Sequence, residues 1–168
     1  MRSHLPVDEI PLVILSLLAL DQDPSFEVPA EFDQITGRLN EDTLDEVKRG
    51  IASLSITDYA QAANQVVDRF LGVGSRGERS QYGTSTSLSS AALISASSTT
   101  LEGVQTVLDP ACGIAGTLLG IGAAVPEAKL LGAELNPSIA ALARLLGHFA
   151  DSAVTIHTGD SIVHDPFP

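Results

Sequence analysis

The sequence has no tryptophan, two tyrosines and one cysteine in 168 residues. A single thiol excludes an internal disulfide, so no secreted, cystine-stapled framework is built here, and Cys112 is compatible with the cytoplasm. Positive charge is scarce as well. Nine Lys and Arg against 21 Asp and Glu leave a formal charge of -12. Duplex binding draws most of its affinity from Lys and Arg on phosphates, so any contact with DNA has to come from outside this chain. A long apolar run is also missing. Ile10 to Leu20 falls far short of the roughly 20 residues of a membrane span. It follows Asp8 and Glu9, where a signal peptide would carry positive charge, and no small-residue cleavage site comes after it. The run reads as a buried helix, and no membrane partner is expected. Asn136-Pro137-Ser138 fails as a glycosylation acceptor because its middle residue is proline.

What is present reads as globular: 44% of the residues are hydrophobic and 18% are charged, enough for one sizeable core or a small helical part beside an α/β part. Pro11 suits the first turn of the opening helix, where its missing N–H costs nothing. Residues 21 to 42 mix Pro, Asp, Glu and Gly with little periodicity and read as loop with short turns. A helix is expected from Thr43 to Leu54. A clearer one follows Thr57 as N-cap, with Tyr59, Ala62, Ala63, Val66, Val67, Phe70 and Leu71 on one stripe of core packing.

Gly72 to Gly77 breaks that pattern and opens a polar linker through Ser80. The expected organisation is therefore a helical N-terminal domain with its linker over residues 1–80 and an α/β domain over 81–168. In the second part Leu88 to Ala96 reads as a helix, Val104 to Leu108 as a buried strand, and Gly116 to Ala124 as a helix stopped by Pro126. Lys129 to Leu135 is a second strand. Asn136 and Pro137 start a helix with Ile139, Leu142, Ala143, Leu146 and Phe149 on its apolar face, and Val154 to His157 is a third strand. Strands alternating with helices imply a parallel, doubly wound α/β sheet.

The strongest chemical signal is the run from Val107 to Gly116, an apolar strand entering an acid and a turn of small residues before a helix. Small residues let backbone approach a ligand, and the helix start adds free N–H donors. A dinucleotide fingerprint requires G-x-G-x-x-G, whereas this turn offers only Gly113 and Gly116 behind Asp109. Asp109 would repel a pyrophosphate but suits the ammonium of a methionine moiety, so the spacing favours S-adenosylmethionine over NAD. Glu134 closes the second strand 25 positions after Asp109, near the offset at which an acid accepts hydrogen bonds from ribose hydroxyls. Gly159-Asp160-Ser161 follows the third strand, where Asp160 could bond an adenine amino group and Ile162 could lie against the ring.

With these residues assembled, the second half of the chain resembles the N-6 adenine-specific DNA methyltransferases, the modification subunits of type I restriction-modification systems. Asp109-Pro110-Ala111-Cys112-Gly113, with Gly116 and Leu118, is similar to that family's D-P-A-C-G-x-G-G-x-L turn. Gln81-Tyr82-Gly83-Thr84-Ser85 resembles its Q-F-Y-T-P segment, and Glu134 and Asp160 match its ribose and adenine acids. The resemblance covers about residues 57 to 168. It implies a partial Rossmann-like sheet that binds S-adenosylmethionine through Thr84, Asp109, Ala111, Cys112, Gly113, Glu134, Leu135, Asp160 and Ser161. It also implies methyl transfer to the exocyclic amine of adenine in DNA, with a specificity subunit, and in some assemblies a restriction subunit, as partners.

The sequence departs from the family in three places. Ala115 stands where the family has glycine, which is expected to place a methyl group beside the methionine end and lower affinity. Gly83 and Ser85 replace Tyr and Pro. The chain ends at Asp165-Pro166-Phe167-Pro168 without the N-P-P-[YF] motif, whose polar groups and aromatic ring hold a flipped adenine. No catalytic residue is therefore expected within these residues, and they are expected to be catalytically silent alone. The first strand, central in the usual methyltransferase order, is expected to become an edge that self-associates or is covered by the N-terminal helices.

Plainer readings stand beside these. Asp109 could simply cap its turn, and Glu134 could be a solvated acid at a helix start. Cys112 has no histidine placed to activate it and reads as a small packed side chain. His157, His164, Asp160 and Asp165 lack the spacing of a zinc site, so no metal is expected. Two rival functions remain: a non-catalytic assembly module with a degenerate pocket, and a nucleotide-dependent oxidoreductase.

Overall fold

The computed structural model describes residues 5–7, 9–72, 101 and 103–167, with the side chains of residues 71 and 72 left out. Thr84, the segment 81–85, the expected helix 88–96 and the linker from residue 73 on lie outside the described residues. The chain divides into two compact units, Met1–Ser75 and Arg76–Pro168.

The first unit is helical. α1 (Ile10–Gln22) carries Pro11 in its first turn and buries Pro11, Leu12, Val13, Leu15, Ser16, Leu17, Leu18 and Ala19, most of its circumference. It packs against α2 (Ala30–Thr36), α3 (Glu41–Ala52) and α4 (Tyr59–Val67). α2 falls inside the stretch expected to be loop. Phe32 and Ile35, spaced for one helical face, are both buried there, and that burial is enough to fix two turns. α3 starts two residues before the expected Thr43, because the Asn40 side chain accepts from Asp42 N at 3.0 Å. The N-cap of α4 is Asp58 rather than Thr57: its Oδ1 accepts from Gln61 N at 2.8 Å. A π-helical turn, Asp68–Gly72, follows α4.

The second unit is a partial Rossmann-like α/β fold. Its described elements run β1 (Thr106–Asp109), α5 (Gly116–Ala124), β2 (Lys129–Glu134), α6 (Pro137–Phe149) and β3 (Val154–Thr158). All strands are parallel in the order β1-β2-β3, with Asp109 opposite Gly132 and Glu134 opposite Thr158. Among the described residues β1 is an edge, and Leu108 on it is half exposed. β2 is buried at four successive positions, Leu130 to Ala133, as expected of a central parallel strand covered on both faces. α6 begins where Asn136 Oδ1 accepts from Ser138 N at 3.0 Å and Ile139 N at 3.4 Å, with Pro137 preset for the first turn. One core cluster joins Cys112, Ala115, Leu118, Ala140, Ala143 and Ile156. No helix among the described residues is long and apolar enough to cross a membrane.

Candidate functional site

Parallel strands bring all their carboxyl ends to one edge of the sheet, the usual place for a ligand in open α/β folds. Asp109, Glu134 and the Gly159-Asp160-Ser161 loop leave that edge from β1, β2 and β3.

The turn after β1 is held by its own acid. Asp109 Oδ1 accepts from Ala111 N at 3.1 Å, while Cys112 N donates to Ala133 O at 2.9 Å and so fastens the turn to β2. Gly113 has φ +54°, and a Cβ built there would meet nothing within 4 Å among the described residues. The backbone at Gly113 is thus both left-handed and open to an approaching group.

Ala115, the N-cap of α5, is also left-handed, with φ 62° and ψ 19°. This is the physical reason for a glycine preference at the position. Its methyl group is fully buried in the core cluster with Cys112 and Leu118. The expectation that this methyl crowds the methionine end is therefore corrected: it points inward, and what it imposes is backbone strain.

Cys112 is buried in the same cluster, and Gly132 opposite has no room for a side chain, since a Cβ would lie 2.8 Å from Cys112 Sγ. Burial, with Asp109 and Glu134 nearby, pushes the thiol up to about 11. Such a thiol is a packing group, and only the backbone of Cys112 could face a ligand.

Glu134 is bound on both oxygens: Oε2 accepts from Gly113 N at 3.1 Å and Oε1 from Asn136 N at 2.8 Å. It stands at the junction of two turns, a role that sequence spacing did not reveal. Each oxygen keeps a second lone pair for a ligand hydroxyl. Leu135 beside it is 69% exposed and Ile162 is 95% exposed, two apolar side chains held in water at the carboxyl edge. Asp160 Oδ1 accepts from Ile162 N at 2.9 Å and Val163 N at 3.3 Å. Ser161 Oγ donates to Pro110 O at 2.7 Å, linking the β3 loop to the β1 turn.

Among the described residues no group of three His, Cys, Asp or Glu side chains is placed to hold a metal ion. An open cavity of about 410 Å³ lies at the opposite edge of the sheet, lined by Leu101, Val104, Val125 and Pro126 among others, and contains none of these residues.

No family model matches the chain, and no curated protein matches it in sequence. A crystal structure from Listeria monocytogenes, provisionally described as a class I S-adenosylmethionine-dependent methyltransferase, is similar in fold, with a TM-score of 0.53 and 12% sequence identity. The similarity covers 94% of this chain and 55% of that one, so the chain spans about half the length of the solved structure.

Proposed function

We propose that the second unit binds S-adenosylmethionine as the cofactor domain of a DNA adenine methyltransferase. One observation carries the reading: two carboxylates, Asp109 and Glu134, stand at the carboxyl ends of adjacent parallel strands, on either side of a left-handed, open Gly113.

The donor set fits this ligand. Asp109 would take the ammonium of the methionine part, leaving Oδ1 on Ala111 N and using Oδ2. Glu134 would accept the ribose hydroxyls while keeping its two backbone donors. Asp160 would accept from the adenine amine, with Leu135 and Ile162 against the ring faces. Pyrophosphate fits worse, because an acid heads the turn where that charge would sit. When bound, the cofactor supplies an electrophilic methyl group for the exocyclic amine of adenine.

The low sequence identity of the structural neighbour leaves the adenine specificity, the DNA substrate and the specificity and restriction subunits resting on the resemblance of the Asp109-Pro110-Ala111-Cys112-Gly113 turn. The 168 residues contain no Asn-Pro-Pro, so the reading assigns to them cofactor capture and no catalytic side chain. The charge of -12 suits a chain whose DNA contacts are made by other segments or subunits.

Calorimetric titration with S-adenosylhomocysteine, with NAD as competitor, tests the proposal. Saturable binding that NAD does not displace, weakened about tenfold or more by Asp109→Asn, is the expected result. Absence of binding at millimolar ligand would sink it and favour an assembly module; displacement by NAD would favour the oxidoreductase.

A further inference from the structure

Among the described residues three loops leave the carboxyl edge of the sheet, and hydrogen bonds tie them into a ring. The β1 turn joins β2 through Gly113 N to Glu134 Oε2 and Cys112 N to Ala133 O. The β3 loop joins β2 through Gly159 N to Glu134 O at 2.9 Å. The third side is closed by Ser161, whose hydroxyl donates to the Pro110 carbonyl across 51 residues of sequence. β1 and β3 are not neighbours in the sheet, since β2 lies between them, which separates their axes by roughly 10 Å. The Ser161 contact therefore spans the end of β2, where Glu134 stands.

The chemistry of that contact decides what Ser161 does. A hydroxyl has one proton, and this one is committed to Pro110 O. Asp160 meanwhile folds its own loop into a tight turn, accepting from Ile162 N and Val163 N through its side chain and from His164 N through its carbonyl. Ser161 thus docks that whole turn, with Asp160 and the exposed Ile162 on it, against the Asp109 turn.

We infer that Ser161 is a positioning residue of the proposed cofactor site: its hydroxyl fixes the separation of the Asp109 and Asp160 turns before the nucleoside arrives, and has no proton left to donate to the ligand. This rests on the S-adenosyl reading above and revises the expectation that Ser161 is a direct contact. Presetting two halves of a site lowers the ordering cost of binding. One hydrogen bond of ordinary net strength, about 0.5–1.5 kcal/mol, corresponds to roughly two- to twelvefold in affinity.

The test compares the whole chain with its Ser161→Ala and Ser161→Thr variants in two measurements. These are amide hydrogen exchange without ligand and calorimetric affinity for S-adenosylhomocysteine. The Ala variant is expected to exchange faster at Ile162 and Val163, to bind roughly three- to tenfold more weakly, and to melt within about 2 °C of the wild type; Thr, which keeps the hydroxyl, restores both exchange and affinity. Unchanged affinity in the Ala variant overturns the inference. So does tighter binding, which would mean that the contact bars the cleft, and so does weaker binding with unchanged exchange, which would mean a direct ligand contact. If the wild type binds no S-adenosylhomocysteine, the functional reading fails and takes the positioning role with it, while the exchange data still report whether the contact docks the loop.

Discussion

The side chain of Glu134 and the backbone of Gly113 meet at 3.1 Å, so an acid that ends one strand holds the turn that follows its neighbour. Its second oxygen holds Asn136 N at 2.8 Å. Glu134→Ala leaves two amides without their acceptor and is expected to cost about 1–2 kcal/mol in urea denaturation, the partly exposed setting keeping the loss below that of fully buried charged bonds. Glu134→Gln, which retains one carbonyl oxygen, should lose about half as much. Full stability in both variants would show that water replaces the carboxylate.

Ala115 sets backbone strain against packing. Its left-handed conformation costs roughly 1–2 kcal/mol, and its buried methyl group contributes about 0.8 kcal/mol. Replacement by glycine removes both, and also adds freedom to the unfolded chain. Ala115→Gly should accordingly be within about 1 kcal/mol of neutral. Ala115→Val puts a β-branched residue at φ 62° in a filled core and should cost more than about 2 kcal/mol. Chemical denaturation of the two variants measures the difference.

Gly132 is confined by side chains from three elements. A Cβ there would lie 2.8 Å from Cys112 Sγ, 2.8 Å from Ile156 Cδ1 and 3.0 Å from Leu118 Cδ1. Gly132→Ala is expected to destabilise by about 1–3 kcal/mol through overpacking. Combining it with Cys112→Ala should recover part of that loss, because one of the three obstacles disappears. Strict additivity of the two substitutions would contradict this account.

The raised thiol of Cys112 predicts inertness. With its pKa at about 11 instead of 9.0, the folded chain holds about 100-fold less thiolate at pH 8 than the unfolded chain. Alkylation by iodoacetamide should therefore be at least about 100-fold slower in the native state than in urea. The folded thiol keeps its proton more tightly than the unfolded one. Its contribution to stability is thus complete below pH 9 and is lost as pH rises through 11.

Ser16 is fully buried in α1, and among the described residues its hydroxyl finds no hydrogen-bond partner. Burying an unpaired hydroxyl costs about 1–3 kcal/mol. Ser16→Ala should raise the urea midpoint, by roughly 1 kcal/mol of stability; a fall would mean that the hydroxyl is satisfied in solution.

Elements with redundant local signals were legible in the sequence. α6 has an Asn-Pro start and a full apolar face, and β2 has an uncharged interior from Leu130 to Ala133 between Lys129 and Glu134; both appear where expected. α2 was missed because seven residues give only one apolar pair, Phe32 and Ile35, amid acids. Asp58 and Thr57 can both cap, and the backbone path together with the stronger capping carboxylate selects Asp58. At the candidate site the three acids were legible because strand ends can be read from composition. The bonds from Glu134 to Gly113 and from Ser161 to Pro110 were not, because they depend on strand register and on loops meeting across 21 and 51 residues.

The parallel pairing also has a bearing on synthesis. β1 and β2 pair residues 23 positions apart and β2 and β3 residues 24 positions apart, each gap filled by one helix. A chain emerging from the ribosome can therefore lay down this sheet one strand at a time, each strand having its neighbour already in place. Among the described hydrogen bonds the Pro110 carbonyl waits longest: its partner emerges 51 residues later, so the β1 turn and the β3 loop can meet only after β1, β2 and β3 have all emerged.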